Sequence, residues 1–544
     1  MQAGYFGILF KTEYLLLTMF SSLLLAVAIV AHDPGYNTSL ANHLQRWLKD
    51  ESIAAKVVTP KEMESALAGE KIAFLVGFSN PTDAEMAAIG RFSDNGGKLV
   101  VFHSAARRLA TLMGVRSAGY SAAPYPGAWS KMCFKGAPFE GCPELILQTS
   151  GVLNRIAPIA GRSKVIATWA DRTGKISSEP AWIESDRGWW MSHVLLADGD
   201  EDLKARLAAA MCGSVDPSLW NYTKYQEREK RSLAEIRAFA LKQVPKKDEI
   251  RAVWDHSGCG LYPGNWAKTI KLLRESRVTD LFVNVAGAGF AHYASSVLPQ
   301  SRICTDEGDQ LAACLKAASG SGIRIHVWFL TFSASRSSPS VMEDYAKRGW
   351  RLRNSKGALT EYVDPGNGQV QQMMLSAIDE VQAKYPEIAG VHLDFIRYGE
   401  SAVKPSDAVD NVSGFVAKAR LRVKRPCWFT TAVYGKYPRC VNTVAQDWEA
   451  WLDARLVDYV VPMDYCEKED KFVELLVWQS VNRRNAAKTI VGIGVTANES
   501  RLGPKEVIRQ INLSRKYGFA GVSLFDLDTT LEKNILPYLR LGIW

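Results

Sequence analysis

The 544-residue chain contains no Cys-x-x-Cys pair and no cluster of His and Cys at ligand spacing, so a structural zinc is not expected. It has no long block of one charge. Sixty-six Lys and Arg stand against 57 Asp and Glu, a net +9, and the basic residues are scattered apart from short groups such as Lys246-Lys247. That distribution argues against nucleic-acid binding and only weakly for an acidic partner. There is no deficit of apolar residues, which make up 47% of the chain, so a packed protein is expected rather than a disordered one. The length is too great for one domain and suits two or three. Nine Cys is an odd count. Cys133 and Cys142 bracket a short Gly- and Pro-bearing loop and form a candidate disulfide, with Cys304 and Cys314 a weaker pair. Sixteen Trp exceeds the usual share. Trp stacks on sugar rings but more often fills cores.

One long apolar stretch is present, from Tyr14 to Val30, preceded by Lys11 and Glu13 and containing Ala26-Val27-Ala28. It predicts a signal peptide over 1–28 and hence an exported protein, periplasmic or extracellular. The alternatives are an uncleaved membrane anchor, since ~18 apolar residues is near the shortest span, or a first strand that already begins at Ala26.

From 29 to 216 short apolar runs alternate with helical patterns. Strands are predicted at Ile29–His32, Ala55–Val58, Ile72–Val76 and Lys98–His103, with helices at Ser39–Lys49 and Thr82–Asn95. That alternation predicts a doubly wound parallel sheet. Ile166–Trp169, Ala181–Glu184 and Gly188–Leu196 read as a later antiparallel addition. Residues 81–115, "PTDAEMAAIGRFSDNGGKLVVFHSAARRLATLMGV", resemble the class I glutamine-amidotransferase-like fold. The resemblance implies a nucleophile in the turn after the strand. Here the turn reads Phe102-His103-Ser104-Ala105, with no Gly-x-Ser-x-Gly elbow around Ser104, so a non-catalytic accessory domain is expected. Residues 217–247 form a charged linker helix, too short in heptads for a coiled coil.

From 248 to 544 eight strand candidates separate helical patterns: Arg251–Trp254, Asp280–Val285, Ile323–Phe329, Gly390–Asp394, Cys427–Val433, Val457–Met463, Thr489–Val495 and Gly521–Phe525. Eight such units in this length predict a (β/α)8 TIM barrel, in which chemistry sits where the strands end. The first strand delivers Trp254, Asp255 and His256. The second delivers Asn284, with His292 and Tyr293 in its loop. The third carries His326, read as a core histidine, and Trp328. The fourth delivers Asp394, Arg397 and Tyr398, and the fifth Tyr434. The sixth delivers Asp464 and Tyr465, the seventh Thr496, and the eighth Asp526 and Asp528. Glu400 and Glu467 lie further out and are read as solvated. Asp447 is read as the cap of a helix Trp448–Ala454.

Carboxylates, aromatics and amides in one ring suit a sugar: rings stack on its C–H face, and polar groups bind its hydroxyls. Two carboxylates can then cleave a glycosidic bond. The expected catalytic pair is Asp394, ionised beside Arg397, and Asp464, the proton donor. Trp254, Asp255, Asn284, Tyr293, Trp328, Arg397, Tyr398, Tyr434, Tyr465 and Asp526 are the expected substrate contacts. Several have bland readings as well: Asp526 and Asp528 as helix caps, Asp255 as a ligand of backbone amides, and the Trp pair as barrel core. No cofactor or metal is expected.

Three stretches carry a wider resemblance. "RAVWDHSG", "EYVDPGNGQVQQMMLSAIDEVQAKYPEIAGVHLDFIRY" and "QDWEAWLDARLVDYVVPMDY" resemble, in order and spacing over most of 250–535, the glycosyl-hydrolase-like 10 family. The resemblance implies a (β/α)8 barrel, export to the bacterial envelope or beyond, and hydrolysis of cell-wall, exopolysaccharide or other complex glycans. That family's fourth-strand signature has two adjacent acids; here Asp394 is followed by Phe395. In the stretch Val363–Asn367, Asp364 stands where members often have Asn. The placing of Asp on strands four and six is also similar to retaining α-glycosidases, a likeness of fold position only. The alternative is a glycan-binding barrel without catalysis.

Overall fold

The computed structural model describes residues 27–544 except 33–34, 126 and 198–199. The chain divides into two compact units, Met1–Arg231 and Ser232–Trp544. The division falls inside the helix Tyr222–Leu241, which occupies the expected linker.

The first unit is built on a nine-stranded sheet. Ala55–Val58, Val27–Ala31, Ile72–Val76 and Lys98–Phe102 lie side by side and parallel. Gly188–Met191 joins parallel to Lys98–Phe102 and antiparallel to Ile176–Ser185, and from there the sheet continues antiparallel. Both faces are covered. Val27, Ile29 and Ala31 enter one apolar cluster and Ala28 and Val30 the other, the period-2 alternation of a strand buried on both sides. The helix Asp83–Asp94 starts at a capping box in which Thr82 and Glu85 satisfy each other's backbone N–H groups. Of the expected signal segment, residues 1–26 lie outside the described residues, and Val27 and Ala28 are part of the inner strand. Among the described residues no helix is long and apolar enough to cross a membrane.

Neither expected disulfide forms; all nine cysteines are free. The reason for the first pair lies in strand parity. Cys133 alternates with Met132 and Phe134 on Lys131–Phe134, and it is those two neighbours that share an apolar cluster with the buried Cys142. In the second pair Cys314 is sealed in the barrel core, while the Cys304 thiol faces the Gln300 amide at 3.8 Å.

The second unit is a closed barrel of eight parallel strands: β1 Ile250–Asp255, β2 Asp280–Gly287, β3 Arg324–Leu330, β4 Gly390–Asp394, β5 Trp428–Tyr434, β6 Tyr459–Met463, β7 Ile490–Gly494 and β8 Gly521–Phe525. Each pairs with the next, and β8 pairs with β1. All eight fall on the predicted runs. Alternate residues face two different cores. Val391, Leu393 and Val460 point outward to the helical shell, whereas Ile250, Ala252, Trp254, Phe282, Trp328, Val461 and Ile490 fill the axis.

The axis also holds polar groups, several of them bonded to one another. Arg324 makes two bonds of 2.7 Å to Asp280, and His326 Nε2 lies 2.8 Å from the same carboxylate. Burial pushes the Asp280 carboxyl up, but the His326 and Arg324 bonds and charges outweigh it and hold it at about 2. Higher up, His392 meets Thr430 at 2.8 Å and accepts the Trp254 indole N–H at 3.1 Å. His326 is therefore a core histidine, as its alternation suggested.

Candidate active site

At the C-terminal ends of the strands a cavity of about 1000 Å³ opens. Its floor is Trp254 and Trp328, and Phe525 and Tyr465 stack above them with ring centroids 5.4 Å apart. Asp394, Arg397, Tyr434, Tyr465, Thr496 and Asp526 line it, as the sequence predicted.

Asp394 ends β4, pointing inward because His392, two residues earlier, does. Its Oδ1 accepts the Phe395 N–H at 2.5 Å and faces Arg397 Nη1 at 3.4 Å. Arg397 is itself held by aromatic faces, 4.1 Å from the Phe395 ring centroid and 4.7 Å from that of Tyr434. Burial raises the Asp394 carboxyl above its ordinary value. The Arg397 charge, the Phe395 N–H and the Trp328 indole oppose that rise. Asp526 follows β8. Its Oδ1 accepts the N–H groups of His256 at 3.1 Å and Leu527 at 2.6 Å. Burial dominates, and the nearby Asp255 and Asp528 charges add to it, so the carboxyl is pushed up to about 8 against the pull of those two N–H groups and of the Arg336 charge. Tyr465 feels both acids: burial and then the Asp394 and Asp526 charges drive its phenol well above the ordinary range.

Five expected site residues are elsewhere. Asp464 is the consequential one. On β6 the inward residues are Tyr459, Val461 and Met463, followed by Tyr465; Asp464 has the opposite parity and points to the helical shell. There it is fully buried, its Oδ1 accepting the Gln479 amide at 2.8 Å and packed against Gly435. Burial raises its carboxyl to about 8, but it does not line the cavity. The expected Asp394–Asp464 pairing over one pocket is not formed.

Asp255 folds the loop after β1, accepting the Ser257 N–H and hydroxyl at 3.1 and 2.6 Å and the Gly260 N–H at 2.8 Å. Asn284 is buried beneath that loop, its carbonyl against Gly258. Tyr293 and Tyr398 sit in the outer shell, bonded to Glu380 and Asp364 at 3.2 Å each. None of the four lines the cavity. Asp528 caps the following turn through the Leu531 N–H at 2.7 Å, and Asp447 caps Trp448–Asp453. Glu400, read as solvated, instead lines the mouth and accepts the Tyr434 hydroxyl.

Lys404, Lys436, Arg439, Asn498 and Glu499 also line the cavity and were not singled out. Lys436 and Arg439 follow the strand-end residue Tyr434 by two and five positions, a spacing that could have flagged them. In the first unit, Ser104 is fully buried. Its hydroxyl donates to the Phe78 carbonyl at 2.5 Å and accepts the Ala106 N–H at 3.2 Å. His103, with φ of 50°, takes the left-handed turn position before it.

Residues 249–411 match the sequence model of the family described as Glycosyl hydrolase-like 10. No curated protein matches the chain. Among solved structures, the chain is similar to the catalytic domain of β-amylase from Paenibacillus polymyxa, with 10% identity, a TM-score of 0.38, and coverage of 52% of this chain and 93% of that one. It is also similar to α-L-fucosidase isoenzyme 2 from Paenibacillus thiaminolyticus, with 12% identity, a TM-score of 0.39, and coverage of 54% and 48%. A ThuA-like protein from Bacteroides uniformis matches at 12% identity with a TM-score of 0.29, covering 35% of this chain and 93% of that one.

Proposed function

We propose that a chain whose barrel begins with a glycosyl-hydrolase-like segment is a glycoside hydrolase acting on a complex glycan, with Asp526 as proton donor and Asp394 as nucleophile or base. One observation carries this reading: two carboxyls enter the same cavity from opposite strands, and of the two Asp394 has a guanidinium on its oxygen. Burial and the charges of Asp255 and Asp528 push Asp526 up to about 8, which favours its protonated form at neutral pH. Asp394 has a guanidinium and a backbone N–H on its oxygen, which favour the charged form. That division of labour is what glycosidic cleavage needs. Asp526 gives its proton to the glycosidic oxygen as the bond from that oxygen to the anomeric carbon breaks. Asp394 either bonds to the anomeric carbon or takes a proton from the water that attacks it.

The strands bearing the two acids are four places apart in a ring of eight, so the acids reach the mouth from opposite sides. Trp254, Trp328, Tyr465 and Phe525 offer faces for the sugar between them. The proposed setting is outside the cytoplasm, on the reading of the apolar stretch ahead of the strand Val27–Ala31 as an export segment, and the proposed substrates are cell-wall or exopolysaccharide glycans. The first unit is proposed to be an accessory domain, since the Ser104 hydroxyl is committed to backbone groups.

Phe395, standing where the family signature has a second acid, favours the alternative of a glycan-binding barrel. Reducing-end release from cell-wall glycan, amino-sugar exopolysaccharides and plant or host glycans separates the two. On a cleaved substrate, Asp394→Asn and Asp526→Asn should each lower turnover by ~10²–10⁴-fold, and Asp464→Asn should not. Undiminished turnover in either of the first two removes that residue from the mechanism. Binding with no release of ends across the panel selects the alternative.

A further inference from the structure

We propose that the glycan this cavity takes is anionic, carrying a carboxylate or sulfate on the sugar seated against the loops after β4 and β5. The proposal rests on the hydrolase reading and specifies its substrate class.

Lys404, Lys436 and Arg439 converge on that side of the cavity wall, the first from the β4 loop and the others from the β5 loop. Among the described residues none of the three is in an ion pair. Lys404 Nζ reaches only the Ala402 carbonyl at 3.3 Å. The nearest lining carboxylate in sequence, Glu400, is engaged by the Tyr434 hydroxyl, and Arg397 is committed to Asp394. Past Glu400 the wall continues into a depression of about 460 Å³ rimmed by Lys356.

Exposed basic residues are ordinarily just solvated. Elsewhere on the barrel some of them sit beside acids, Lys347 with Glu343, Arg422 with Asp379, Arg425 with Asp458 and Arg509 with Glu506, while others, such as Arg274 and Lys316, are exposed on convex surface without one among the described residues. What sets Lys404, Lys436 and Arg439 apart is that they gather on one concave wall, where Glu400 is engaged by Tyr434 and Asp394 by Arg397, and a concave wall with an excess of one sign concentrates ligands of the other. A neutral sugar offers three such groups only uncharged hydroxyl oxygens, which leave their charges unbalanced. A sugar bearing an acidic substituent has a carboxylate or sulfate that Arg439 can hold in a two-pronged contact and the lysines as point charges. Of the two acids of the chemistry, Asp394 stands at the end of β4 paired with Arg397, and Asp526 stands across the mouth after β8, with Glu499 also in the lining. The cavity is therefore polarised, and a substrate with one charged end is oriented in it.

The test uses the full chain on three polymers: a uronate-containing glycan, the same glycan after carboxyl reduction, and a sulfated glycan. Reducing-end release gives kcat and KM, and retardation in affinity gels gives binding without reference to cleavage. The expected result is that the anionic polymer is preferred over its reduced counterpart by at least about tenfold in kcat/KM, a preference that fades with salt. Lys436→Ala/Arg439→Ala should raise KM for the anionic polymer by about tenfold, the loss lying in KM rather than in kcat. The uronate and sulfate arms identify which anion is read. Equal cleavage of the reduced polymer, or an unchanged KM in the double variant, overturns the proposal. If no polymer is cleaved but wild type retards the anionic glycan and the double variant does not, the hydrolase reading fails and the charge reading stands. If wild type neither cleaves nor retards it, both fail.

Discussion

Asp526 and Asp464 are both pushed up to about 8, yet only Asp526 faces the cavity, so replacing each with Asn separates stability from chemistry. In the unfolded chain either carboxyl ionises near 3.8; in the folded protein it keeps its proton to about 8. Between those values the unfolded state has released a proton that the folded state retains, so stability falls as pH rises. Asn does not titrate, and it keeps a carbonyl oxygen for the N–H groups of His256 and Leu527. At pH 7 the protonated carboxyl costs the fold about 4 kcal/mol in the fully buried limit. Asp526 retains partial exposure, so about 2–4 kcal/mol is the working figure there.

Both variants should thus be more stable than wild type, by a margin that is small near pH 4, grows by up to ~1.4 kcal/mol per pH unit, and levels off above about 8. Urea denaturation at pH 4.5, 6, 7.5 and 9 reads this directly. Turnover on a cleaved glycan should collapse in Asp526→Asn and persist in Asp464→Asn. A stability margin that does not change with pH, or a wild type more stable than both variants, would refute the reasoning. So would a loss of turnover equal in the two.

Three further outcomes are expected. Arg397→Met removes the charge that most opposes the rise of Asp394, so the acidic limb of the kcat/KM–pH profile should move up by about one unit, while the limb set by Asp526 near 8 stays in place. Asp280→Asn leaves the buried His326 and the partly exposed Arg324 without their carboxylate and should destabilise the barrel by about 1–3 kcal/mol in urea at pH 7. Because the Asp280 carboxyl is held at about 2, its contribution is complete above 3.8, and the gap should close as pH falls toward 2. With nine free thiols, a dithiol reductant should leave the melting temperature unchanged, and a fall on reduction would reveal a bridge.

The barrel could be read from the sequence because eight apolar runs stood at the right spacing, and every one became a strand. Which way each side chain faces could not be read as well. A parallel strand buried on both faces is a continuous apolar run, and its inside and outside are unmarked. On β2, β3 and β4 polar residues, Asp280, Arg324 with His326, and His392, mark the inward parity that Asp394 shares, and Asp394 lines the cavity. The run Val460-Val461-Pro462-Met463 carries no such signal, so Asp464 looked equivalent to Asp394 while facing the other way. Asp526 was recognised only as a contact because its neighbourhood also suits a helix cap, a role that Asp528 fills. Tyr293 and Tyr398 were misread for a related reason: loop residues near a strand end can turn back into the helical shell, and only packing decides.

On β6, Met463 and Tyr465 look into the mouth and the acid between them looks away. Lengthening or shortening that strand by a single residue upstream of Tyr459 would exchange the two sets. The carboxyl of Asp464 would swing into the sugar's place, and the phenol of Tyr465 would be driven among the helices. An acid is thus kept one step of the pleat away from the reaction it would disturb, and the identity of the mouth on this side is decided by counting rather than by composition.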